Sequence, residues 1–401
     1  MKILMVTPAF FPSLGGIEQH VLNLSKQLQK KGHQVDVLTS KIGKTSSFES
    51  VESINVFRVY TGIKNQQELS FKGKNLVWPF FIKALILQAK NKYDLIHVHG
   101  PFSLLSVLPL KLFRIPIILT IHGNWINCVK GRRYHDGKIC IGYEIEKCSK
   151  CMNSNKPVMK FKRRLLRSIA EKCNEIIAVS NDVKNSIKLK KEKSITVIPN
   201  VASIEGFFPN PNGLTEFRFN SLKKKILFIG SMIPEKGAKV LLETAKNINA
   251  EFIFVYSYAN QDYLKEFNEF VDEKNINDVL LFPEVSNKKV REIFIPFSDI
   301  IVVPSLWPEP CSSVVTEAMA SKKPVIASNL GGFTDLIING VDGLLFEAGN
   351  SKDLEKKIVS ILDDENLMKK ISLNGFKKVQ KELNWDVVSD KIIKVYRKVL
   401  N

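Results

Sequence analysis

Short apolar runs rich in β-branched residues alternate with helical or loop segments along this chain, and the alternation begins twice. The first series opens with a strand at 2–7, an amphipathic helix at 17–31 that Gly32 closes, and a strand at 34–39. Further β-rich runs follow at 95–98, 115–121, 175–179 and 195–199. Strands that alternate with helices in this way are typical of a parallel, doubly wound sheet, so the sequence predicts an α/β fold.

The second series begins after a segment rich in turn residues, which includes Gly206, Pro209 and Gly213. Its predicted strands lie at 225–229, 251–255, 279–282, 300–303 and 324–327, with a helix at 237–247. A chain of 401 residues is long enough for two such domains, each with its own core. We therefore predict two Rossmann-like domains that face each other across a cleft, with ligands bound at the carboxyl ends of their strands.

The predicted boundaries place the first domain at 1–200 and a linker at 201–222. The second domain is predicted at 223–384, and a terminal helix at 385–401 is expected to return to the first domain. A cysteine-rich loop at 123–155 is assigned to the first domain.

The formal net charge of +19 is unevenly distributed, because twelve Lys or Arg but only four Asp or Glu lie between Lys156 and Lys193. Such a basic face attracts phosphorylated ligands and anionic membranes, although a simple solvated lysine surface explains it equally well. The absence of a zinc-finger spacing, an RRM-type motif and an arginine-rich arm argues against nucleic acid. The apolar and aromatic stretch 76–87 is typical either of an interfacial helix or of a buried core helix.

Two features of the sequence bear on the location of the protein. No apolar run reaches the roughly 18 residues of a membrane span. The N-terminal run before Pro8 is too short for a signal-peptide core. We therefore expect a cytoplasmic protein, which its basic face could bring to the inner surface of the membrane as a peripheral protein.

The segment from Trp307 to Ala320 carries the strongest chemical signal, because it holds two glutamates, Glu309 and Glu317. Ser312 or Ser313 can begin a helix here, and the exposed amides and positive dipole end of that helix would bind a diphosphate. Glu317 lies two turns along the helix, so one carboxylate could meet a sugar and the other a ribose. Two solvated helical glutamates would produce the same spacing.

Three further positions are candidates for ligand binding. Gly15 and Gly16 precede a helix and allow close backbone approach to a ligand, although a turn has the same steric need. Lys236 follows a predicted strand in a Pro-Glu-Lys-Gly turn, where it could neutralise phosphate or be an ordinary exposed lysine. His122 ends a predicted strand, which favours a functional over a structural histidine.

Together these segments resemble the retaining family-4 glycosyltransferases of the GT-B fold. The resemblance covers both domains in the expected order and rests on the segments 8–37, 120–123, 198–200, 230–237, 307–320, 324–332 and 340–346. Of these, 230–237 resembles the phosphate loop of the family. It implies that Glu309 contacts the donor sugar, Glu317 binds the ribose, Lys236 neutralises the departing diphosphate and His122 hydrogen-bonds the sugar. It implies a nucleotide diphosphate sugar as donor, linked to UDP or GDP, and no catalytic metal.

The resemblance also guides the expected reaction and acceptor. Retention would follow either from same-face attack, which the family favours, or from a covalent intermediate. The basic charge and the apolar stretch 76–87 point to a lipid-linked or glycan precursor as acceptor.

Two departures from the family pattern leave other functions open. Ser231 stands where the family usually carries an arginine, and Asp335 stands where it often carries a glutamate. A non-catalytic protein that binds a sugar nucleotide or acts as a scaffold is therefore one alternative. A sugar-nucleotide epimerase of the same fold is another, but it would need acid and base carboxylates around the sugar ring.

Four of the six cysteines fall in the loop after His122, namely Cys128, Cys140, Cys148 and Cys151. The C-x-x-C spacing of the last two is that of zinc ligands, and a reducing compartment disfavours disulfides. The cluster therefore predicts a structural zinc site, with reduced or redox-sensitive thiols as the alternative.

Overall fold

The computed structural model consists of two compact units, each built around one parallel sheet. Unit 1 comprises Met1–Gly131, Gly142–Val201 and Trp385–Asn401, and unit 2 comprises Arg132–Ile141 and Ala202–Asn384. The structure describes residues 1–13, 15–63, 73–128, 130–140, 144–189, 193–202, 207, 217, 219 and 222–401. Most of the predicted linker at 201–222 lies outside the described residues.

The sheet of unit 1 has eight strands. Their bounds are β1 Lys2–Val6, β2 Gln34–Ser40, β3 Phe48–Val51, β4 Ile54–Val59, β5 Leu95–His99, β6 Ile117–Ile121, β9 Glu175–Ala178 and β10 Ile195–Val197. They lie in the order β10-β9-β6-β5-β1-β2-β4-β3, and every pair is parallel except β3 with β4. Every residue of β5 and β6 is buried, because helices cover both faces of a parallel sheet.

The helices of unit 1 include the C-terminal segment of the chain. Their bounds are Gly16–Lys30, Val77–Asn91, Pro101–Val107, Ile145–Cys151, Lys156–Glu171, Asn181–Ser186 and Trp385–Leu400, with 3-10 turns at Gly73–Leu76 and Leu108–Phe113. The last helix packs along the first, and Lys31 bonds to Asp386 and Asp390 at 2.7 and 2.6 Å. The buried hydroxyl of Tyr396 also lies 2.7 Å from His97 Nδ1 on β5.

The sheet of unit 2 has six strands, all parallel. Their bounds are β11 Lys224–Ile229, β12 Ala250–Tyr256, β13 Val279–Pro283, β14 Ile300–Val303, β15 Val325–Ser328 and β16 Leu344–Phe346, in the order β13-β12-β11-β14-β15-β16. The helices are Ala238–Thr244, Gln261–Glu273, Asn287–Lys289, Ile295–Phe297, Ser313–Ala320, Phe333–Leu336, Ser351–Leu362 and Glu365–Lys381, with a 3-10 turn at Pro234–Lys236 and a π-helical turn at Val290–Phe294. Phe228, Phe252 and Phe254 fill its core.

The predicted fold class is confirmed, since both units are Rossmann-like α/β layers with parallel sheets. In unit 1 the central strand β1 lies between β2 and β5, and in unit 2 β11 lies between β12 and β14. In each sheet, the chain first adds strands on one side of the central strand and then adds the remaining strands on its other side. Loops at their carboxyl ends are therefore the expected places for ligands.

Part of the cysteine-rich loop differs from its predicted assignment. The sequence places all of 123–155 in the first domain, but Arg132–Ile141 is part of unit 2. This segment contains a small antiparallel hairpin of β7, Tyr134–His135, and β8, Lys138–Ile139. Arg132 Nη1 donates a hydrogen bond to Glu235 Oε1 of unit 2 at 2.9 Å.

The apolar stretch 76–87 forms most of the helix Val77–Asn91, which has two different apolar faces. Phe80, Ala84 and Leu87 are buried. Trp78, Ile82 and Ile86 on another face are 71%, 56% and 54% exposed. The helix is therefore both a core element and an exposed apolar ridge. No helix in the described part of the chain is long and apolar enough to cross a membrane.

Candidate active site

A buried ion pair joins the loops that follow two neighbouring strands of unit 2. Lys236 Nζ, after β11, lies 2.7 Å from Glu309 Oε1, after β14. The side chain of Glu309 is only 7% exposed, and that of Lys236 is 26% exposed. The hydroxyl of Ser305 also donates to Glu309 Oε1. The two candidate residues, 73 positions apart in sequence, therefore meet at the carboxyl edge of the sheet.

Glycines allow the neighbouring loops to pack closely against the loop that carries Glu309. Gly237 has a positive φ of +71°, and a Cβ there would collide with the carbonyl oxygen of Pro304. A Cβ on Gly332 would collide with the carbonyl oxygen of Pro310. Backbone hydrogen bonds fix both contacts, from Leu306 N to Glu235 O at 2.8 Å and from Gly332 N to Glu309 O at 2.7 Å. Main chain therefore holds Glu309 from both sides.

Three residues separate Glu309 from the helix Ser313–Ala320. The N-terminus of this helix carries the two predicted serines. Ser312 is the N-cap residue and has extended backbone, but its side chain makes no capping hydrogen bond with the described residues. Ser313 is exposed. The amides of a first helical turn carry partial positive charge, so this end can accept an anion. Trp307 lies nearby, with its ring centroid 5.8 Å from Lys236 Nζ.

Glu317 has a different partner from Glu309. Its Oε1 accepts a hydrogen bond from Arg291 Nη2 at 2.9 Å, and its side chain is 14% exposed. Burial raises the pKa of Glu317, and the charge and hydrogen bond of Arg291 oppose that rise. Arg291 also lies over the ring of Phe207, with Cζ 5.5 Å from the centroid. Sequence reasoning missed Arg291, because no motif spacing links it to Glu317.

The loop between β11 and Gly237 is the predicted phosphate loop, and Ser231 lies in it. Ser231 is partly exposed, and its carbonyl oxygen accepts from Ile233 N at 3.0 Å. The turn Pro234–Lys236 follows, with Glu235 bonded to Arg132 of the hairpin. The hairpin of the cysteine-rich loop thus borders the phosphate loop. No pattern in the sequence predicts this contact.

In unit 1, four histidines lie close together near the carboxyl ends of β5 and β6, namely His20, His97, His99 and His122. His122 Nε2 lies 2.9 Å from His99 Nδ1, and His122 Nδ1 lies 3.1 Å from Asn200 Nδ2. Burial lowers the pKa of His122 to about 3, so its imidazole is neutral at physiological pH. Both ring nitrogens are engaged within unit 1. The predicted hydrogen bond from His122 to a donor sugar would require it to exchange one of these partners.

His97 and His20 complete this group. His97 Nε2 lies 2.7 Å from Thr120 Oγ1, and burial lowers the pKa of His97 to about 3. His20, on the first helix, is 4% exposed and packs against His122 and Trp385, with ring centroids 4.8 and 5.3 Å away. Sequence reasoning identified His122 and missed the other three histidines.

Gly15 and Gly16 lie at the start of the first helix, as the sequence placed them. Gly15 is the N-cap residue, with extended backbone at φ −119°. No described atom lies within 4 Å of a Cβ built on Gly16, so the described part of the fold has no steric need for glycine there. A glycine without such a need is typical of close approach by a ligand.

The predicted zinc site of the cysteine-rich loop receives no support from the arrangement of its side chains. Among the described residues, the one group of three or more candidate metal ligands is His20, His99 and His122. Cys140 lies in unit 2, whereas Cys128, Cys148 and Cys151 lie in unit 1. Zinc binding by these four cysteines stays a prediction.

Comparison with known families divides the chain at the same place as the fold. Residues 14–205 match the family model described as Glycosyltransferase Family 4, and residues 215–378 match the model described as Glycosyl transferases group 1. The uncharacterized glycosyltransferase MJ1178 of Methanocaldococcus jannaschii is 28% identical, over 100% of this chain and 99% of that protein. The UDP-Gal:alpha-D-GlcNAc-diphosphoundecaprenol alpha-1,3-galactosyltransferase of Escherichia coli is 25% identical, over 97% of this chain and 98% of that protein.

Solved structures show the same fold. Sucrose-phosphate synthase of Thermosynechococcus elongatus superposes with a TM-score of 0.81 at 21% identity, over 99% of this chain and 98% of that one. HepE of Anabaena, solved in complex with UDP-glucose, gives a TM-score of 0.74 at 19% identity, over 99% and 100% of the two chains. The chain is a glycosyltransferase of the GT-B fold.

The close packing at Gly237 predicts a stability difference between two glycine substitutions in unit 2. Gly340 has a similar φ of +79° but no described atom within 4 Å of an added Cβ. Gly340→Ala should therefore cost only the left-handed backbone penalty of about 1–2 kcal/mol. Gly237→Ala should cost a further amount of about 1–3 kcal/mol, because the Cβ displaces the Pro304 carbonyl. Urea unfolding of the two variants measures the difference, and equal losses would contradict the packing argument.

Proposed function

We propose that this glycosyltransferase is a retaining enzyme that transfers a hexose from a UDP- or GDP-linked donor to a lipid-linked or glycan acceptor. The observation that carries the proposal is the buried Lys236–Glu309 pair beside the N-terminus of helix Ser313–Ala320. A cation, a carboxylate and a set of helical amides meet there. These are the groups that a charged diphosphate and a polyhydroxylated sugar require.

Lys236 and the helix N-terminus neutralise the diphosphate in this proposal. Breaking the bond between the sugar and the phosphate leaves additional negative charge on the diphosphate, and a fixed ammonium group stabilises it. Ser312 and Ser313 offer amides and hydroxyls at the positive end of the helix dipole. Ser231, in the place of the usual arginine, contributes at most a hydroxyl group. No metal is assigned a role.

Glu309 contacts the hydroxyl groups of the donor sugar in this proposal. Its Oε1 already accepts from Lys236 and Ser305, so the second carboxylate oxygen is the one assigned to the sugar. Backbone contacts on both sides hold the loop that carries this side chain. A rigid acceptor costs little further ordering when the donor binds.

Glu317 binds the ribose hydroxyls, and Arg291 positions it. Arg291 occupies Glu317 Oε1, which assigns the other oxygen to the ribose. The ion pair also keeps the buried carboxylate charged, and a charged acceptor binds hydroxyl groups more strongly than a neutral one.

The configuration of the anomeric carbon is retained in this proposal, because the acceptor attacks that carbon from the same face that the phosphate leaves. The bond from the anomeric carbon to the phosphate oxygen breaks, and a bond from the acceptor oxygen to the same carbon forms. The proton of the acceptor hydroxyl passes to the departing phosphate. Gly15 and Gly16 give the ligand close access to the main chain, and His122 meets the sugar after exchanging one of its present partners.

A membrane-bound acceptor is supported by the exposed surface of unit 1. The apolar ridge formed by Trp78, Ile82 and Ile86 lies on a helix that packs against helix Pro101–Val107. The basic helix Lys156–Glu171, which carries six Lys or Arg and one Glu, packs against the same helix. Exposed apolar side chains together with a basic helix are typical of proteins that bind anionic membranes, and the Escherichia coli relative is named for a diphosphoundecaprenol acceptor.

Donor turnover tests the proposed function directly. The native chain, Glu309→Gln and Lys236→Ala are compared for binding and slow hydrolysis of a panel of UDP- and GDP-sugars. Both variants should lose at least about 100-fold in turnover, because each removes a group that acts on developing charge or on the sugar. Lys265→Ala and Glu269→Gln, an exposed pair on helix Gln261–Glu273, should leave turnover unchanged.

The same experiment separates the alternatives. Interconversion of two sugar nucleotides without steady release of nucleotide diphosphate would identify an epimerase. Binding of a donor without any turnover would identify a non-catalytic protein. Product anomer analysis by NMR decides between retention and inversion.

The Arg291–Glu317 pair predicts a change in the pH dependence of nucleotide binding. Glu317 must be ionised to bind the ribose, its pKa is raised by burial, and Arg291 opposes that rise. Arg291→Met should raise this pKa further, so that binding weakens at a higher pH than in the native chain. Titration of UDP and GDP by calorimetry across pH measures the shift. Arg291→Lys keeps the charge and should shift less; identical pH profiles for the native chain and Arg291→Met would contradict this role.

The exposed ridge predicts binding to anionic vesicles. The full chain should sediment with vesicles that contain phosphatidylglycerol and remain in solution with neutral vesicles. Trp78→Ser combined with Ile82→Ser should weaken binding by about tenfold or more, because two apolar side chains that would be buried in the membrane are lost. Tyr258→Ser removes a similarly exposed aromatic group from unit 2 and is the control. Equal binding of both variants would show that the ridge is not the membrane surface.

A further inference from the structure

Three histidines of unit 1 form a group, and the proposed transfer reaction uses only His122 of them. His20, His99 and His122 each offer one ring nitrogen, and these three atoms all lie within 4.8 Å of one another. The residues come from the first helix, the end of β5 and the position after β6. We infer that His20, His99 and His122 form a binding site for a transition-metal ion of the zinc type.

Burial without partners is the first observation behind this inference. His20 is 4% exposed and His99 is fully buried. Neither ring nitrogen of His20 has a hydrogen-bond partner in the described part of the chain, and the same holds for His99 Nε2. A buried polar atom without a partner is unfavourable, so such groups usually indicate an unseen ligand. A metal ion would supply a partner for one ring nitrogen of His20. His99 Nδ1 and His122 Nε2, which now face each other, would exchange their mutual hydrogen bond for the ion.

The chemistry of the donors selects the ion. Three imidazoles without carboxylates suit Zn²⁺, Cu²⁺ or Ni²⁺, whereas Mg²⁺ and Ca²⁺ require oxygen ligands. A neutral imidazole keeps the lone pair that binds a metal.

The geometry requires only small movements of two rings. His99 Nδ1 and His122 Nε2 face each other at 2.9 Å. A tetrahedral ion with bonds of about 2.0–2.1 Å needs roughly 3.3 Å between its ligand atoms, so these two nitrogens would separate slightly and His20 would approach. The fourth position is left for water or another ligand.

Asn200 supplies the outer contact that a histidine ligand needs. A neutral imidazole that binds metal through Nε2 carries its proton on Nδ1 and donates it to an acceptor. The Asn200 side-chain amide lies 3.1 Å from His122 Nδ1, and turning the amide over presents its oxygen to that proton. The ion would thus join the first helix to the ends of two central strands. This site shares His122 with the proposed function, and His122 does not meet the sugar while the ion is bound. The site does not involve the cysteine-rich loop.

Metal binding by the full, tag-free chain tests the inference. Calorimetry with Zn²⁺ measures the stoichiometry, and the visible absorption of added Co²⁺ reports a four-coordinate site. The native chain should bind one ion per chain. His20→Asn should weaken that binding by at least about tenfold. His33→Asn alters a histidine of unit 1 outside the group and should leave it unchanged.

The cysteines provide the decisive alternative. The double variant Cys148→Ser and Cys151→Ser should retain the site and its Co²⁺ spectrum. X-ray absorption of the Zn²⁺-loaded native chain needs no variant and should show nitrogen neighbours at about 2.0–2.1 Å, without sulfur at about 2.3 Å. Equal binding by His20→Asn and the native chain, a sulfur shell, or no bound ion would each overturn the proposal.

Discussion

The ion pair between Lys236 and Glu309 is the interaction on which the organisation of unit 2 around its site depends. A carboxylate with only 7% of its side chain exposed is strongly unfavourable without a cation and hydrogen-bond donors. The pair exists because β11 and β14 are neighbours in the sheet, so the loops at their carboxyl ends meet. Gly237 and Gly332 then allow main chain to pack against the intervening loop. Sheet order, loop packing and charge thus support one another.

Unit 1 differs electrostatically from unit 2, because buried histidines line the carboxyl edge of its sheet. Burial keeps His97 and His122 neutral, with pKa values lowered to about 3. Neutral imidazoles can hydrogen-bond to one another and to hydroxyls, as His97 does with Thr120 and Tyr396. The C-terminal helix, which carries Tyr396, is therefore part of this polar core. The carboxyl edge of the sheet in unit 2 therefore carries charged side chains, whereas the same edge in unit 1 carries neutral histidines.

The two glutamates of the strongest sequence motif differ in what holds them. Glu309 lies in a loop and is fixed by a lysine, a serine and the main chain. Glu317 lies in a helix and accepts a hydrogen bond from Arg291. The two glutamates lie eight positions apart because a loop is followed by a helix, and the two carboxylates have separate electrostatic environments. The identity of each cation could not be read from the spacing.

The sequence by itself determined the alternation of strands and helices, the two Rossmann-like units and the positions of Glu309, Lys236 and the helix after Ser312. These follow from local patterns of apolar residues, turn residues and short motifs, which are physical properties of neighbouring residues. Only the tertiary structure decided that Arg291 pairs with Glu317, that Arg132–Ile141 joins unit 2 and that His20, His97 and His99 surround His122. Those contacts join residues far apart in the chain, and they arise from sheet order and packing, which no local pattern encodes.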